Sequence, residues 1–250
     1  MPTLGTDVLS VQLYTVREAL AEDVDGTLGR VAEIGLKQVE PYAFQNFFDD
    51  LKAGLAKYDL TAPTTHTSVI DADVDEILGA AKELGITTVI TPHTNPELWQ
   101  SEDGIAGIAE QLNAAAEKAA ALGLSVGYHN HWFELESQID GKHGLEVLAA
   151  KTAPEVMLEV DSYWAHVGGA DVPALLGRLG DRVQALHLKD GDGTRNNKNQ
   201  VAVGDGVIPV WDFVKATPNL KYGVIELDDS ELDRFDCIAK SFAYLSGANR

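Results

Sequence analysis

The sequence has few cysteines, few basic residues and no long hydrophobic run. A single cysteine, Cys237, among 250 residues excludes an internal disulfide bond and is typical of a reducing compartment. Only 19 Lys and Arg residues face 39 Asp and Glu residues, so the formal net charge is −20. A surface with this charge repels phosphate backbones, and we therefore expect no nucleic-acid partner.

The apolar stretches are also too short to cross a bilayer. None approaches the roughly 20 residues that a membrane helix needs, so we expect no contact with a membrane. The N-terminal stretch, residues 1–20, lacks the charged segment and the long apolar segment of a signal peptide. These absences lead us to expect a cytoplasmic protein.

Short runs rich in Val, Ile, Leu and Thr alternate along the chain with longer amphipathic stretches, such as residues 73–85 and 104–123. Several of these stretches end at a glycine, which is typical of a helix C-terminus. Strand and helix repeated eight times over this length predict an α/β fold, a single-domain (β/α)8 TIM barrel over residues 1–250. The eight runs are 8–14, 36–42, 60–67, 87–94, 124–131, 156–164, 183–190 and 222–229.

An open doubly wound sheet is the competing fold for this pattern. Such a sheet normally carries a glycine-rich phosphate turn after its first strand, and none follows Tyr14. The barrel is therefore favoured. One long irregular stretch, residues 191–209, follows the seventh run, and a loop of this length in a barrel usually belongs to the active site.

Catalytic residues of such barrels lie at the C-terminal ends of the strands. Five of the seven histidines fall at these ends. A lone histidine there is more often a hydrogen-bonded structural residue, and an acidic residue there often caps the next helix, as Asp228 or Asp229 would. The polar residues at the ends are Glu40, His66, His93, His129, His131, Asp161, His187, Lys189, Asp190, Glu226, Asp228 and Asp229.

The stretch GYHNHWFELE, residues 127–136, places two histidines one residue apart. Residues i and i+2 of a strand share a face, so we expect His129 and His131 to look the same way, towards the barrel mouth. Runs five to eight are neighbours, and their ends bring His131, Asp161, His187 and Glu226 towards one point. Two imidazoles and two carboxylates suit Mn, Fe, Co or Zn, with room for substrate oxygens.

These motifs resemble the xylose-isomerase-like TIM barrels, the group of sugar phosphate isomerases and epimerases, inosose dehydratases and 3-keto-sugar enzymes. The resemblance covers nearly the whole chain. It implies a divalent metal, most commonly Mn with Zn, Co, Fe or Mg as alternatives, held by Asp161, His187, Glu226 and a residue after the fifth strand. The motifs are VQLYTVRE, VEPY, GYHNHWFEL, LEVDSYWAHVGGAD, HLKD, GDGVIPV and IEL.

Two departures separate this sequence from the epimerases it resembles. Their metal ligand after the fifth strand is a glutamate, whereas this chain offers a histidine, which we assign to His131, although His129 is the alternative. They also have a histidine three residues beyond the strand-six aspartate, where this chain has Trp164. A symmetric epimerase with two glutamates is therefore disfavoured, and dehydration or hydration of a keto-sugar or inosose becomes the alternative reaction.

The resulting hypothesis is a metal-dependent isomerase or epimerase that acts through the enediolate of a ketose, inosose or keto-sugar. We expect Glu226, His129 and Lys189 to be catalytic; Lys189 could instead form only a structural salt bridge with Asp190 or Glu226. A non-catalytic sugar-binding barrel stays open as an alternative function. The net charge argues against a DNA-repair endonuclease. We expect the protein to be a monomer or a homo-oligomer. We expect the substrate to contact Glu40, His66, His93, Trp164 and Arg195.

Overall fold

The computed structural model describes residues 2–248. Seven parallel strands form one curled sheet in the order β1-β9-β8-β7-β4-β3-β2, and β5 and β6 form a separate antiparallel hairpin. Helices lie between the strands, so the expected TIM-barrel-like α/β fold in one domain is confirmed. The strands are β1 Leu9–Val11, β2 Thr64–His66, β3 Thr88–Thr91, β4 Ser125–His129, β5 Gln138–Ile139, β6 Lys142–His143, β7 Met157–Asp161, β8 Val183–Leu188 and β9 Tyr222–Ile225.

The second of the eight expected strands, residues 36–42, is not a regular strand. It lies between β1 and β2 and is joined to them by isolated parallel bridges, which pair Gln38 with Thr61, Glu40 with Gln12, and Tyr42 with His66. Pro41 is the last residue but one of this run and has no N–H to donate, which interrupts the ladder. The run still fills the gap between β1 and β2, so together with the seven regular strands it makes eight positions around the barrel.

The strands are shorter than the apolar runs that predicted them. β1 ends at Val11, and the rest of its run becomes a 3-10 helix, Leu13–Val16. β4 ends at His129 and β7 at Asp161, so the last residues of both runs lie in turns or helices. The C-terminal ends of β4 and β7 therefore lie two and three residues earlier in the chain than the ends of the runs, at residues 131 and 164.

Eleven α-helices occur in the described part of the chain, and the long ones agree with the amphipathic stretches. The α4 helix is capped by the side chain of Asp73, and the α5 helix by that of Ser101. The helices are α1 Arg17–Glu22, α2 Val24–Ile34, α3 Phe48–Tyr58, α4 Val74–Glu83, α5 Glu102–Ala121, α6 Phe133–Glu136, α7 Gly144–Lys151, α8 Ser162–Val167, α9 Val172–Leu179, α10 Val210–Lys215 and α11 Arg234–Ser246.

Glycine follows several of these helices as the sequence predicts, and Gly35 and Gly85 are two examples. Gly35 follows α2 with φ +108°, and Gly85 follows α4 with φ +76°, a left-handed conformation that a side chain would strain. The reversal returns the chain directly to the next strand. Within residues 2–248, no helix combines the length and the apolarity that a membrane crossing requires.

Candidate active site

Four neighbouring strands of the barrel bring four polar side chains together at their C-terminal ends. His129 ends β4, Asp161 ends β7, His187 pairs with Asp161 from β8, and Glu226 follows β9. All four are buried, and each offers one ligand atom within 4.8 Å of the others. We call His129, Asp161, His187 and Glu226 the upper group.

His131 does not belong to the upper group, because the chain turns after His129. Asn130 ties this turn to β7: its Oδ1 accepts from the N–H of Asp161 at 3.1 Å, and its Nδ2 donates to the Asp161 carbonyl at 3.3 Å. Glu134 Oε2 accepts from the N–H of His131 at 2.8 Å. His131 is thus not a strand residue, but it reaches the cavity from the turn, as His129 does from the strand.

A second set of side chains lies one pleat deeper on β7, around Glu159. Its Oε2 is 2.6 Å from His66 Nε2, 3.0 Å from His187 Nε2 and 3.1 Å from His129 Nδ1. Glu40 Oε1 is 2.9 Å from His187 Nε2 and 3.2 Å from His66 Nε2. We call Glu40, His66 and Glu159 the lower group; it contacts both histidines of the upper group.

Lys189 fills the space between the upper group and the last strand. Its Nζ lies 2.8 Å from Asp161 Oδ2, 2.7 Å from Glu226 Oε2 and 2.8 Å from Asp228 Oδ2. The side chain is 1% exposed, so these ion pairs are buried. The salt bridge to Glu226 that the sequence offered as a structural role is therefore present, together with two further carboxylates.

The upper group lies beneath a cavity of about 620 Å³, a size that suits a small-molecule ligand. Aromatic side chains from opposite sides of the barrel form its walls, with Tyr14 and Tyr42 on one side and Trp132 and Trp164 on the other. The long loop of residues 191–209 also reaches this cavity. Its remaining lining residues include Arg17, Gln45, His66, Ser68, His93, His129, His131, Arg195, Asn197, Glu226 and Asp228.

Four of the five residues assigned to substrate contact line this cavity: His66, His93, Trp164 and Arg195. Glu40 does not line it; it is wholly buried beneath it and accepts from Gln12 Nε2 at 2.9 Å. In this structure Glu40 contacts neighbouring side chains of the protein, Gln12, His66 and His187, beneath the cavity.

Arg195 and Trp132 form part of the cavity rim. The Arg195 guanidinium lies 5.4 Å from the centre of the Trp132 ring and pairs with Glu136. The Trp132 ring in turn packs against Trp164, with ring centres 5.0 Å apart. The loop thus contributes a cation to an aromatic wall that begins at the end of β4.

Burial and neighbouring charges shift the ionisation of these groups. Burial raises the pKa of Asp161 to about 6, although the Lys189 ammonium opposes the shift. Burial would also raise the pKa of Glu226, but the charges of Lys189 and His187 hold this pKa well below its ordinary value. Burial lowers the pKa of His131 to about 3, so its imidazole is neutral at physiological pH.

The donor atoms of the upper group fit a divalent cation. Asp161 Oδ2 is buried, makes no well-aligned hydrogen bond, and lies 3.7 Å from His129 Nε2. Two imidazole nitrogens and two carboxylate oxygens form a ligand set that Zn, Mn, Fe and Co accept. Lys189 already supplies one positive charge to these carboxylates, and a metal would supply the remainder.

A comparison with protein families agrees with this barrel fold. Residues 10–231 match the model of the xylose isomerase-like TIM barrel. The chain belongs to this family. The resemblance that the motifs predicted is therefore confirmed for most of the chain, whereas no curated protein matches it.

Solved structures share this xylose isomerase-like barrel over nearly its whole length. A sugar phosphate isomerase/epimerase from Parabacteroides distasonis has a TM-score of 0.80 at 22% identity, covering 98% of this chain and 95% of its own. A probable 3-DHS dehydratase from Bacillus anthracis has a TM-score of 0.71 at 14% identity, covering 95% and 98%. The IOLI protein, with a zinc atom bound, has a TM-score of 0.69 at 14% identity, covering 96% and 98%. At these low identities, the TM-scores establish a common fold alone.

Two residues of this xylose isomerase-like barrel escaped the sequence interpretation of the site. Glu159 was missed because it lies within an apolar run, although a carboxylate two residues before Asp161 must share its face. Asp228 was expected, with Asp229, to cap a helix, and this was wrong. Asp233 caps α11, while Asp228 accepts from Lys189 and from Gln200 Nε2.

Proposed function

We propose that this xylose isomerase-like barrel is a divalent-metal-dependent isomerase or epimerase of a ketose, inosose or keto-sugar. The observation that supports it is the upper group, with two imidazoles and two carboxylates at the floor of an aromatic-walled cavity. His129, Asp161, His187 and Glu226 would hold the metal, Mn being the first choice. Bound there, a divalent metal polarises a carbonyl and the adjacent hydroxyl and so acidifies the proton between them.

In this proposal His129 takes the ligand position for which the sequence favoured His131. Of these two histidines, His129 is the one that places a ring nitrogen near Asp161 and the other ligand atoms. His131 stays a neutral imidazole at the cavity wall, where it can exchange hydrogen bonds with a substrate hydroxyl. The two histidines of the GYHNHW stretch thus divide ligand and substrate contacts between them.

Glu226 is the base in this proposal, and Lys189 is its partner. The Glu226 carboxylate is ionised because Lys189 and His187 hold its pKa low, so it can accept a proton from the substrate carbon. Lys189 Nζ remains beside Glu226 Oε2 and neutralises negative charge that develops on substrate oxygens. The ammonium therefore stabilises the ionised base before the reaction and the enediolate during it.

The cavity wall suits a sugar or cyclitol without a phosphate group. Trp164 and Trp132 line the cavity, and the partial negative charge of an aromatic ring face attracts the C–H groups of a sugar. Both arginines at the rim are already engaged: Arg17 donates to the Asp228 carbonyl at 2.9 Å, and Arg195 pairs with Glu136. A phosphate would therefore have to break an existing ion pair or hydrogen bond to find a cation.

Dehydration or hydration of the same substrates is the second candidate reaction. An epimerase exchanges protons on both faces of the substrate, and it needs a proton-transfer group on each side. The upper group has the carboxylate of Glu226 after β9, but at the end of β4, where the epimerases that the sequence resembles have a second glutamate, it has His129. This asymmetry favours removal of one proton followed by loss of a β-hydroxyl.

Solvent-deuterium incorporation tests the proposal. The protein, loaded with Mn²⁺, is incubated in D2O with ketoses, inososes and 3-keto-glycosides, and the mixtures are followed by proton NMR. Exchange at the carbon next to a carbonyl is expected for at least one substrate class, and the product separates isomerisation, epimerisation and dehydration. Binding without exchange in the metal-loaded protein would overturn the proposal and favour a sugar-binding barrel.

A further inference from the structure

Three histidines direct a ring nitrogen at one oxygen of a single carboxylate, Glu159 Oε2. The distances are 2.6 Å from His66, 3.0 Å from His187 and 3.1 Å from His129. All four side chains are at most 8% exposed. An ionised carboxylate only accepts hydrogen bonds, so each of these nitrogens must carry its proton to bond with it.

The nitrogen bound to Glu159 decides which nitrogen of the same ring faces the upper group. His129 bonds through Nδ1, and its Nε2 lies towards Asp161 Oδ2 at 3.7 Å. His187 bonds through Nε2, which is also 2.9 Å from Glu40 Oε1, and its Nδ1 lies 2.6 Å from Glu226 Oε2. The two rings therefore present opposite nitrogens to the same group.

His66 and Gln12 complete the support beneath the upper group. The His66 ring stacks on that of His187 with an interplanar angle of 3° and centres 5.0 Å apart. Its Nε2 lies between the carboxylates of Glu159 and Glu40, and Gln12 donates to Glu40. The lower group is thus held on several sides, which restricts rotation of the two upper histidines.

We propose that Glu159 is a positioning residue that fixes the ring orientation and tautomer of His129 and His187. His129 then offers Nε2, and His187 offers Nδ1, to the metal of the upper group; this assignment rests on the function proposed above. A metal-bound histidine usually donates its second N–H to such an acceptor, and loss of the acceptor weakens metal affinity about 10–100-fold. Glu159 serves two ligands at once, so its loss should lie at the upper end of that range.

The Glu159→Leu variant tests this role, because it is close to glutamate in volume and removes both acceptor oxygens. Glutamine would keep one oxygen, and the three histidines share only one oxygen of Glu159. Mn²⁺ affinity is measured by titration calorimetry on metal-free protein. Ring ¹⁵N shifts of the metal-free protein report the tautomer of His129, and those of the Zn²⁺-loaded protein report which nitrogen of His187 carries the proton. We expect Mn²⁺ affinity to fall about 100-fold and the two tautomers to mix. Glu159→Asp, which restores a carboxylate, should recover part of the affinity.

Glu134→Leu is the matched control for this experiment. Glu134 is also a buried glutamate, but it bonds to Tyr128 and to the backbone of His131, and to neither upper histidine. Its replacement should leave the ring ¹⁵N shifts of His129 and His187 unchanged. Unchanged Mn²⁺ affinity and tautomers in a folded Glu159→Leu protein would overturn the positioning role.

Two further outcomes separate this inference from the proposed function. Wild-type protein that binds neither Mn²⁺ nor Zn²⁺ would overturn the metal-dependent function, while the metal-free ¹⁵N shifts would still decide whether Glu159 sets the tautomer of His129. A metal that is lost in His66→Gln but retained in Asp161→Asn would place the ion in the lower group. Glu159 would then be a ligand, and the positioning role would be wrong.

Discussion

The ammonium of Lys189 lies 2.7 Å from Glu226 Oε2, and both groups are buried. The same nitrogen contacts Asp161 and Asp228, so one lysine compensates three carboxylates. A divalent metal in the upper group would interact with two of these three. Lys189 and the metal would therefore compensate the same two carboxylates, and loss of the lysine should increase the stabilisation that a bound metal provides.

The first prediction concerns the replacement of this lysine. Lys189→Met should destabilise the metal-free protein by about 3–5 kcal/mol, because the carboxylates lose their buried counter-charge. Added Mn²⁺ should raise the melting temperature of the variant more than that of wild type, since no ammonium opposes the metal. Lys221→Met, an exposed lysine that donates to Gln184, is the control and should melt like wild type. Equal metal-free stability of Lys189→Met and wild type would contradict the charge argument.

The second prediction concerns the metal ligands. Asp161→Asn keeps an oxygen that can accept from the N–H of Trp164 at the start of α8, but it removes the ligand charge. We expect metal content, measured by mass spectrometry after dialysis, to fall far below one ion per chain. Asp171→Asn is the matched control, because Asp171 caps α9 at the surface in the same way. Stoichiometric metal in Asp161→Asn would count against the upper group.

The third prediction separates ligand and base roles at Glu226. With Mn²⁺ in saturating excess, which offsets the weaker affinity of a site with one charge less, Glu226→Gln keeps one ligand oxygen but cannot accept a proton. It should therefore bind metal and lose deuterium exchange by a factor of about 10² or more. His129→Gln should instead lose metal. Exchange that survives in Glu226→Gln and vanishes in a metal-loaded His129→Gln would identify the histidine as the base. The reaction would then belong with the dehydratases.

The fourth prediction is a pH dependence of stability from Glu134. Burial raises the pKa of this carboxyl to about 8 from an ordinary 4.5. The folded state therefore binds a proton more tightly than the unfolded state, and stability falls as pH rises towards 8. Between pH 6 and 8, wild type should lose about 2 kcal/mol relative to Glu134→Gln in urea unfolding of metal-free protein. Parallel pH profiles of the two proteins would show that Glu134 is ionised throughout.

Much of the barrel could be read from local patterns. Strand and helix alternation depends on periodicity, and glycines such as Gly35 mark helix ends because the left-handed turn is a local requirement. Asp161, His187 and Glu226 could be selected because parallel strands end at one rim. The run 36–42 differs, because whether Pro41 interrupts a ladder depends on which neighbours the run pairs with.

The positions of His129 and His131, and the contacts of Glu159, depend on the tertiary structure. His129 and His131 have equal claims by spacing, but Asn130 bonds to the backbone of Asp161, ends β4 at His129 and turns His131 aside. Glu159 meets His66, which is 93 residues away in the chain. The sequence by itself determined the barrel and the types of side chain at its mouth, because backbone geometry and periodicity are local. Which nitrogen faces which carboxylate depends on contacts between distant strands, and these exist only once the barrel has closed.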